Sequence, residues 1–223
     1  MSVFAQPLFR DRSDAGVALA RELEDERGPA TIIVGLARGG IEVAAAIASR
    51  LEAPLDVVAV RKIGHPRQPE YGLGAVTPGQ DGVHVRAHNG LTDQELATAV
   101  EHARSEATAL DARLHAEHGP LDLCGKTVIV VDDGLATGGT MIAALRWARA
   151  QRAARVVAAV PVAAEDSLAL VRAEADKAVC LHALRTLLAV GVWYAWFPQV
   201  DDTEVVRLLG ESRRAPTQVL TPG

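Results

Sequence analysis

The sequence predicts an α/β fold built on a parallel sheet, and three observations lead there. Runs at 30–36, 55–60, 128–131, 155–160 and 177–181 are apolar without alternation, the pattern of strands buried on both faces. Helix-like or glycine-broken segments separate them, giving the rhythm of βαβ units with right-handed crossovers. The third observation is the stretch 128–141, Val-Ile-Val-Val-Asp-Asp-Gly-Leu-Ala-Thr-Gly-Gly-Thr-Met. There a strand ends on two carboxylates and a loop of small residues opens a helix. Open α/β sheets place their ligands at the carboxyl ends of strands, so the rest of the chain is read around this stretch.

Length and composition set the bounds. At 223 residues the chain suits one α/β domain with appendages. A net charge of -5 argues against bulk nucleic-acid binding. No apolar run has the length of a membrane span, and the first residues lack the makeup of a leader, so a cytoplasmic protein with no membrane partner is expected. Cys124 and Cys180, in or beside strand-like runs, read as buried thiols rather than a disulfide. The histidines show no metal spacing, and His115 with His118 reads as a solvated helix face.

In chain order, residues 1–12 are irregular. A helix is predicted from 13 or 14 to 27, with Val17, Leu19, Ala20 and Leu23 on its apolar side and Gly28-Pro29 as its stop. After the strand at 30–36 and Ala37-Arg38-Gly39-Gly40 comes an alanine-rich helix through Ile41, Val43, Ile47 and Leu51, then the strand at 55–60. Glycines and prolines break any helix between 61 and 90. Residues 83–86 alternate like a short exposed strand, and pairing with 73–77 would make a hairpin. A segment this long without regular pattern reads as a mobile lid. Thr92 and Glu95 form a capping box before a helix with Leu96, Val100, Ala103, Ala107, Leu110 and Leu114 on one stripe. A further helix is predicted at 165–174. Trp193, Tyr194, Trp196 and Phe197 gather four of the chain's eight aromatic residues. A short helix at 205–209, closed by Gly210, precedes a fraying tail at 213–223.

The chemistry suggested by the residues alone is anion and sugar binding. Backbone amides of Ala136, Thr137, Gly138, Gly139 and Thr140 lie at a helix's positive end and can cradle a phosphate, with threonine hydroxyls as extra donors. Asp132 and Asp133 can accept hydrogen bonds from a sugar diol. Ala37-Arg38-Gly39-Gly40 and Arg61-Lys62 end the first two strands. Each is either a second anion site or an ordinary helix-opening turn and solvated strand end.

Residues 128–141 resemble the phosphoribosyl diphosphate (PRPP) motif of the type I phosphoribosyltransferases, in wording closest to the adenine-using members. The similarity extends through Phe9-Arg10-Asp11-Arg12, residues 35–40, Val60-Arg61-Lys62, Val192-Trp193-Tyr194 and Gln199-Val200. It implies a five-stranded parallel sheet of order 3-2-1-4-5 with helices on both faces, a flexible lid and a small hood. The corresponding division is a core at 13–188 with its lid at 61–90, a hood from 1–12 and 189–212, and a tail at 213–223. The implied activity is Mg²⁺-dependent transfer of 5-phosphoribosyl from PRPP to a nitrogenous small-molecule acceptor, with inversion and release of diphosphate, in a homodimer.

The resemblance also implies a role for each site residue. Residues 136–140 take the 5-phosphate. Asp132 and Asp133 hold the ribose hydroxyls and favour the positive charge that builds on the ring. Ala37, Arg38 and Gly39, with a cis peptide at Ala37–Arg38, face the diphosphate together with Arg61 and Lys62. Mg²⁺ is held chiefly by diphosphate oxygens and water, with Asp132 and Asp133 as the protein carboxylates in reach. Glu70, in Glu70-Tyr71-Gly72, manages the acceptor's proton. One of the four clustered aromatic residues, with Trp193 and Tyr194 as the candidates, stacks on the acceptor while the others pack; the alternative is that the cluster forms the hood's own small core. Hypoxanthine- and guanine-using relatives carry an Asp where this chain has Ala136, and a methyl group relays no proton, so a different nucleobase is expected. Two alternatives stay open. One is a regulator that senses PRPP or a nucleotide and grips nucleic acid or a partner through Arg146, Arg149, Arg152 and Arg155. Those arginines otherwise read as a solvated or dimer-facing stripe, with no nucleic acid expected. The other is a hydrolase or phosphorylase of a phosphoribosylated compound.

Overall fold

The apolar runs all become strands of one parallel sheet. The computed structural model describes residues 6–86 and 88–214. Its elements begin with α1 (Arg12–Arg21), β1 (Thr31–Ala37), α2 (Gly40–Leu51), β2 (Leu55–Ala59), β3 (Arg61–His65), β4 (Gln68–Val76), β5 (Val83–Val85) and α3 (Asp93–Leu114). There follow β6 (Thr127–Val131), α4 (Gly139–Ala150), β7 (Arg155–Ala164), α5 (Glu165–Glu174), β8 (Lys177–Leu184) and α6 (Asp202–Arg214).

The main sheet runs β2-β1-β6-β7-β8 with every pair parallel, so the expected fold class is the one found. Counted along the chain, its strands lie in the order 2-1-3-4-5, which corrects the expected 3-2-1-4-5. The acidic motif strand, β6, is central instead of lying beyond β2. The reason is visible in its side chains: Val128, Ile129, Val130 and Val131 are all 0% exposed. An edge would leave such a strand with a row of unpaired N–H and C=O groups. Alternate residues feed two cores. Ile33 and Ile129 face Leu19, Ile47, Leu110 and Leu209. Val34 and Val130 face Met141, Leu145 and Leu168.

Several expectations change. The first helix ends at Arg21, and a 3-10 turn (Glu24–Glu26) replaces its last turns. The chain tightens as Glu22 N–H donates to Leu19 and Ala20 carbonyls, which buries Leu23 and leaves Val17 exposed. α6 passes through Gly210 to Arg214, so Gly210 does not close it and Arg213 is not tail. A Cβ on Gly210 would lie 3.3 Å from His118 Nε2, so glycine lets the helix approach the end of α3. The tail beyond 214 lies outside the described residues. Cys124 is exposed, in a loop where Gly125 takes φ 71°, while Cys180 is half-buried on β8. His115 is buried against Asp56, not solvated.

Between 61 and 90 the chain is a three-stranded antiparallel sheet. The expected hairpin is there, with Val76 opposite Val83 and Gly74 opposite Val85. β3 adds a strand that glycine density concealed. This small sheet packs on α3 through Ile63, Leu73 and Val76 against Leu96 and Ala103. Its other end meets α4, where Arg146 donates to the Val83 carbonyl at 2.9 Å.

Candidate functional site

Close backbone packing builds the floor of the site. The loops after β1 and β6 meet at glycines. A Cβ on Gly40 would lie 2.5 Å from the Val131 carbonyl oxygen, and one on Gly39 would lie 2.2 Å from Asp133 Oδ2. The Ala37–Arg38 peptide beside them is cis. Beyond Asp133 the loop is tied to β7, since Leu135 N–H donates to Val162 O and Ala164 N–H donates to Leu135 O, each at 2.9 Å. Ser167 Oγ donates to the Ala136 carbonyl at 2.8 Å. Gly138 then takes φ 77°, a conformation open to glycine, and α4 starts at Gly139. The first amides of a helix have no intrahelical acceptor, so residues 136–140 present donors at the positive end of α4.

Above this floor opens a cleft of about 520 Å³. Asp132, Asp133 and residues 134–140 line one side, Lys62, His84 and Arg86 of the small sheet line the other, and Val190 enters from the segment after β8. His84 lies against the start of α4, its Cδ2 3.6 Å from where a Gly139 Cβ would sit. Burial and Arg146 lower its pKa.

The acidic pair is asymmetric. Asp132 accepts from the Asp133 N–H at 2.9 Å; burial first, then the neighbouring carboxylate, pushes its pKa well up. Asp133 is also raised by burial, but Arg12 opposes this by donating from Nε to Oδ2 at 2.8 Å. Arg12 is itself buried, donating to Glu42 Oε2 at 3.3 Å and to the Pro198 carbonyl at 2.7 Å. Burial raises Glu42 despite Arg12. Tyr194 Oη donates to the Asp133 carbonyl at 2.6 Å, and burial lifts its phenol far above the ordinary range.

Of the residues expected in the site, Lys62, Asp132, Asp133, Ala136, Thr137, Gly138, Gly139 and Thr140 line one cleft. Gly39 lies directly beneath Asp133, and Ala37 ends the neighbouring strand. Arg38 instead donates to Asp202 at 2.6 Å. Arg61 is half-buried, its pKa lowered by burial and by Arg38. Trp193 does not line the cleft; its carbonyl accepts from Leu8 and Phe9 N–H. Tyr194 packs between Phe9 and Phe197, with ring centroids at 5.6 and 4.9 Å. Trp193, Tyr194 and Phe197 thus pack into a small core with Phe9, while Trp196 stays 68% exposed. Glu70 falls on β4, and its side chain lies outside what the structure describes. Arg12, Glu42, His84, Arg86 and Val190 carried no predicted role. Of these, His84 and Arg86 left a signal, two alternate positions of the strand-like stretch 83–86. Arg146, Arg149 and Arg155 are held by Glu174, Asp176 and Glu26, which breaks up the basic stripe.

Comparison with known proteins places this geometry in context. The family model described as the phosphoribosyl transferase domain matches residues 12–185. The protein Rv0571c of Mycobacterium tuberculosis (strain H37Rv), whose name gives it provisionally as a phosphoribosyl transferase, is 41% identical over 212 residues, which are 93% of this chain and 47% of that one. An adenine phosphoribosyltransferase of the same organism is 32% identical over 140 residues, covering 63% of this chain and 50% of that one. The chain therefore spans about half the length of these relatives. The crystal structure of TT1426 from Thermus thermophilus superposes with a TM-score of 0.77 at 37% identity, covering 91% of this chain and 98% of that one.

Proposed function

The chain belongs to the phosphoribosyl transferase family, and from that premise we propose that it transfers 5-phosphoribosyl from PRPP to a nitrogenous acceptor, releasing diphosphate. The observation that carries the reading is the glycine-walled amide cradle at 136–140, set beside a half-buried acidic pair on one cleft. In this mechanism the cradle holds the 5-phosphate through amides and the hydroxyls of Thr137 and Thr140. Asp132 and Asp133 accept from the ribose hydroxyls and stabilise positive charge on the ring as the bond to diphosphate breaks. Lys62, with Arg61 behind it, supplies cationic charge on the lid side. Closure of the small sheet would exclude water that would otherwise attack the ring carbon.

Mg²⁺ belongs to the same proposal. The carboxylates of Asp132 and Asp133 are hard oxygen donors on the cleft and fit an ion that keeps water and substrate oxygens as its other ligands. When bound, it supplies charge neutralisation for the leaving diphosphate. The division into core, lid and hood is supported by the parallel bridge between Phe9 and Tyr194, which joins the two hood segments. A homodimer and a cytoplasmic setting rest on the family resemblance alone.

Ala136 and the adenine-using relative support a nucleobase other than hypoxanthine or guanine, with adenine as the first to try. The neutralised arginine stripe gives the nucleic-acid-gripping regulator no comparable support. The test is diphosphate release with adenine, guanine, hypoxanthine, orotate and uracil in turn. Turnover with at least one base is expected. Guanine turnover with kcat/KM of about 10⁴ M⁻¹s⁻¹ or more would overturn the acceptor assignment. Silence with every base, alongside tight PRPP binding, would favour the sensing protein.

A further inference from the structure

Arg12 comes from the first turn of α1, far from the acidic pair in sequence, yet it meets the pair and the hood together. Its side chain is 5% exposed. Beyond its bonds to Asp133, Glu42 and the Pro198 carbonyl, its guanidinium carbon lies 3.6 Å from the Phe197 ring centroid. A planar fork held on one face and along two edges has no second orientation that keeps these contacts.

Asp133 is gripped at both ends as a result. Arg12 holds its carboxylate and the Tyr194 hydroxyl holds its carbonyl, while Phe197 packs against both holders. Asp132 receives only its neighbour's N–H among the described residues. Tying the hood to α1 would need only the contacts to Phe197 and Pro198. The contact to a site carboxylate goes beyond that need.

We propose that Arg12 is a positioning residue that fixes the orientation of Asp133 for the sugar diol and couples that orientation to the hood. The proposal takes its functional meaning from the transferase reading. An acceptor that moves the hood thereby moves Asp133. In the same way, the diol is gripped best when the hood is seated.

The test uses binding, so that it does not depend on turnover. Calorimetry with ribose 5-phosphate, which has both phosphate and diol, is compared with inorganic phosphate, which engages the cradle alone. Arg12→Met should weaken ribose 5-phosphate about tenfold or more and inorganic phosphate less than about threefold, with Arg12→Lys recovering part of the loss. On an Asp133→Asn background, Arg12→Lys should have no further effect, because the two changes act through one carboxylate. If Arg12→Met fails to fold, Tyr194→Phe removes a single hydroxyl and should show the same selective loss on a smaller scale. Equal weakening of both ligands, additive effects with Asp133→Asn, or no ribose 5-phosphate binding by the wild type would each overturn the proposal. A wild type that binds ribose 5-phosphate but releases no diphosphate would sink the transferase reading and leave the Arg12 result standing.

Discussion

Replacing Gly39 with alanine tests the placement of Asp133 at close range. Gly39 has φ -62° and ψ -37°, ordinary helical values, so alanine meets no backbone penalty there. Its methyl carbon, however, would lie 2.2 Å from Asp133 Oδ2 and 3.0 Å from Asp133 Cγ, where ordinary contact begins at 3.4 Å. The carboxylate must therefore retreat by about 1 Å, and a misplacement of that size at a reacting centre costs ~10²-fold in rate. The same oxygen accepts from Arg12 Nε at 2.8 Å, so the retreat also lengthens that bond. The expected outcome is a fall of about 100-fold in kcat for diphosphate release, equivalent to ~2.7 kcal/mol. Loss of unfolded-state entropy, worth roughly 0.4–1 kcal/mol, partly offsets the clash, and a thermal melt checks that the variant is folded. Gly28→Ala serves as the control, since its nearest neighbour is Thr31 Oγ1 at 3.9 Å. A Gly39→Ala enzyme turning over within about threefold of wild type would refute the claim that the orientation of Asp133 matters.

Other outcomes follow from the same geometry. Asp132→Asn combined with Asp133→Asn should abolish transfer while leaving the thermal melt cooperative; a wild-type rate would remove the motif from the mechanism. Residues 64–75 should be cleaved slowly by protease when PRPP and Mg²⁺ are present and quickly without them, and equal rates would exclude lid closure. For His115, burial opposes the charge, but hydrogen bonds to Asp111 and Asp56 outweigh it and raise the pKa from 6.5 to about 10. A raised pKa means stability that is complete below pH 6.5 and lost as pH climbs through about 10, by up to ~1.4 kcal/mol per pH unit. Urea titrations across that range should show the slope in wild type and lose it in His115→Asn; identical slopes would show that another group carries it.

The readable parts of this chain were those whose cause is local. Val128 to Val131 announce a doubly buried strand because each residue is β-branched, and Thr92 with Glu95 forms the capping box the sequence predicts. Gly138 needs its positive φ whatever surrounds it. What stayed hidden depends on partners distant along the chain. Arg12 reaches Asp133 across 121 residues, and nothing near residue 12 says that this arginine, unlike Arg10, turns inward. β3 sits in a glycine-rich stretch and pairs with shifts of register around Gly64, so no alternation betrays it. His115 lies on the polar side of a helix that reads as surface. It is buried because β2 carries a carboxylate beneath that side. The aromatic cluster was visible as a cluster, but the packing of Tyr194 depends on Phe9, another distant partner.

Distant partners also decide why one strand carboxylate is fully answered within the fold and another is left open to the cleft. Asp56 and Asp132 are both carboxylates attached to strands of the main sheet. Asp56 is the second residue of β2, 1% exposed, at the amino end of the sheet. It accepts from Leu121 N–H at 2.7 Å, meets His115 Nε2 at 3.0 Å and has Arg213 at 3.8 Å, so both oxygens and the charge are answered within the fold. Asp132 follows the last residue of β6, at the carboxyl end, and among the described residues it receives a single N–H from its neighbour. Its fellow Asp133 has the compensating cation, and burial raises the pKa of both. A carboxylate with unfilled acceptor capacity is costly to bury, and a fold keeps one where a ligand completes it. Residue type alone does not separate these two groups. Burial and the hydrogen bonds each still lacks do, Asp132 being half-buried with one N–H donor among the described residues, and they support the proposal that the sugar binds at the carboxyl end of the sheet.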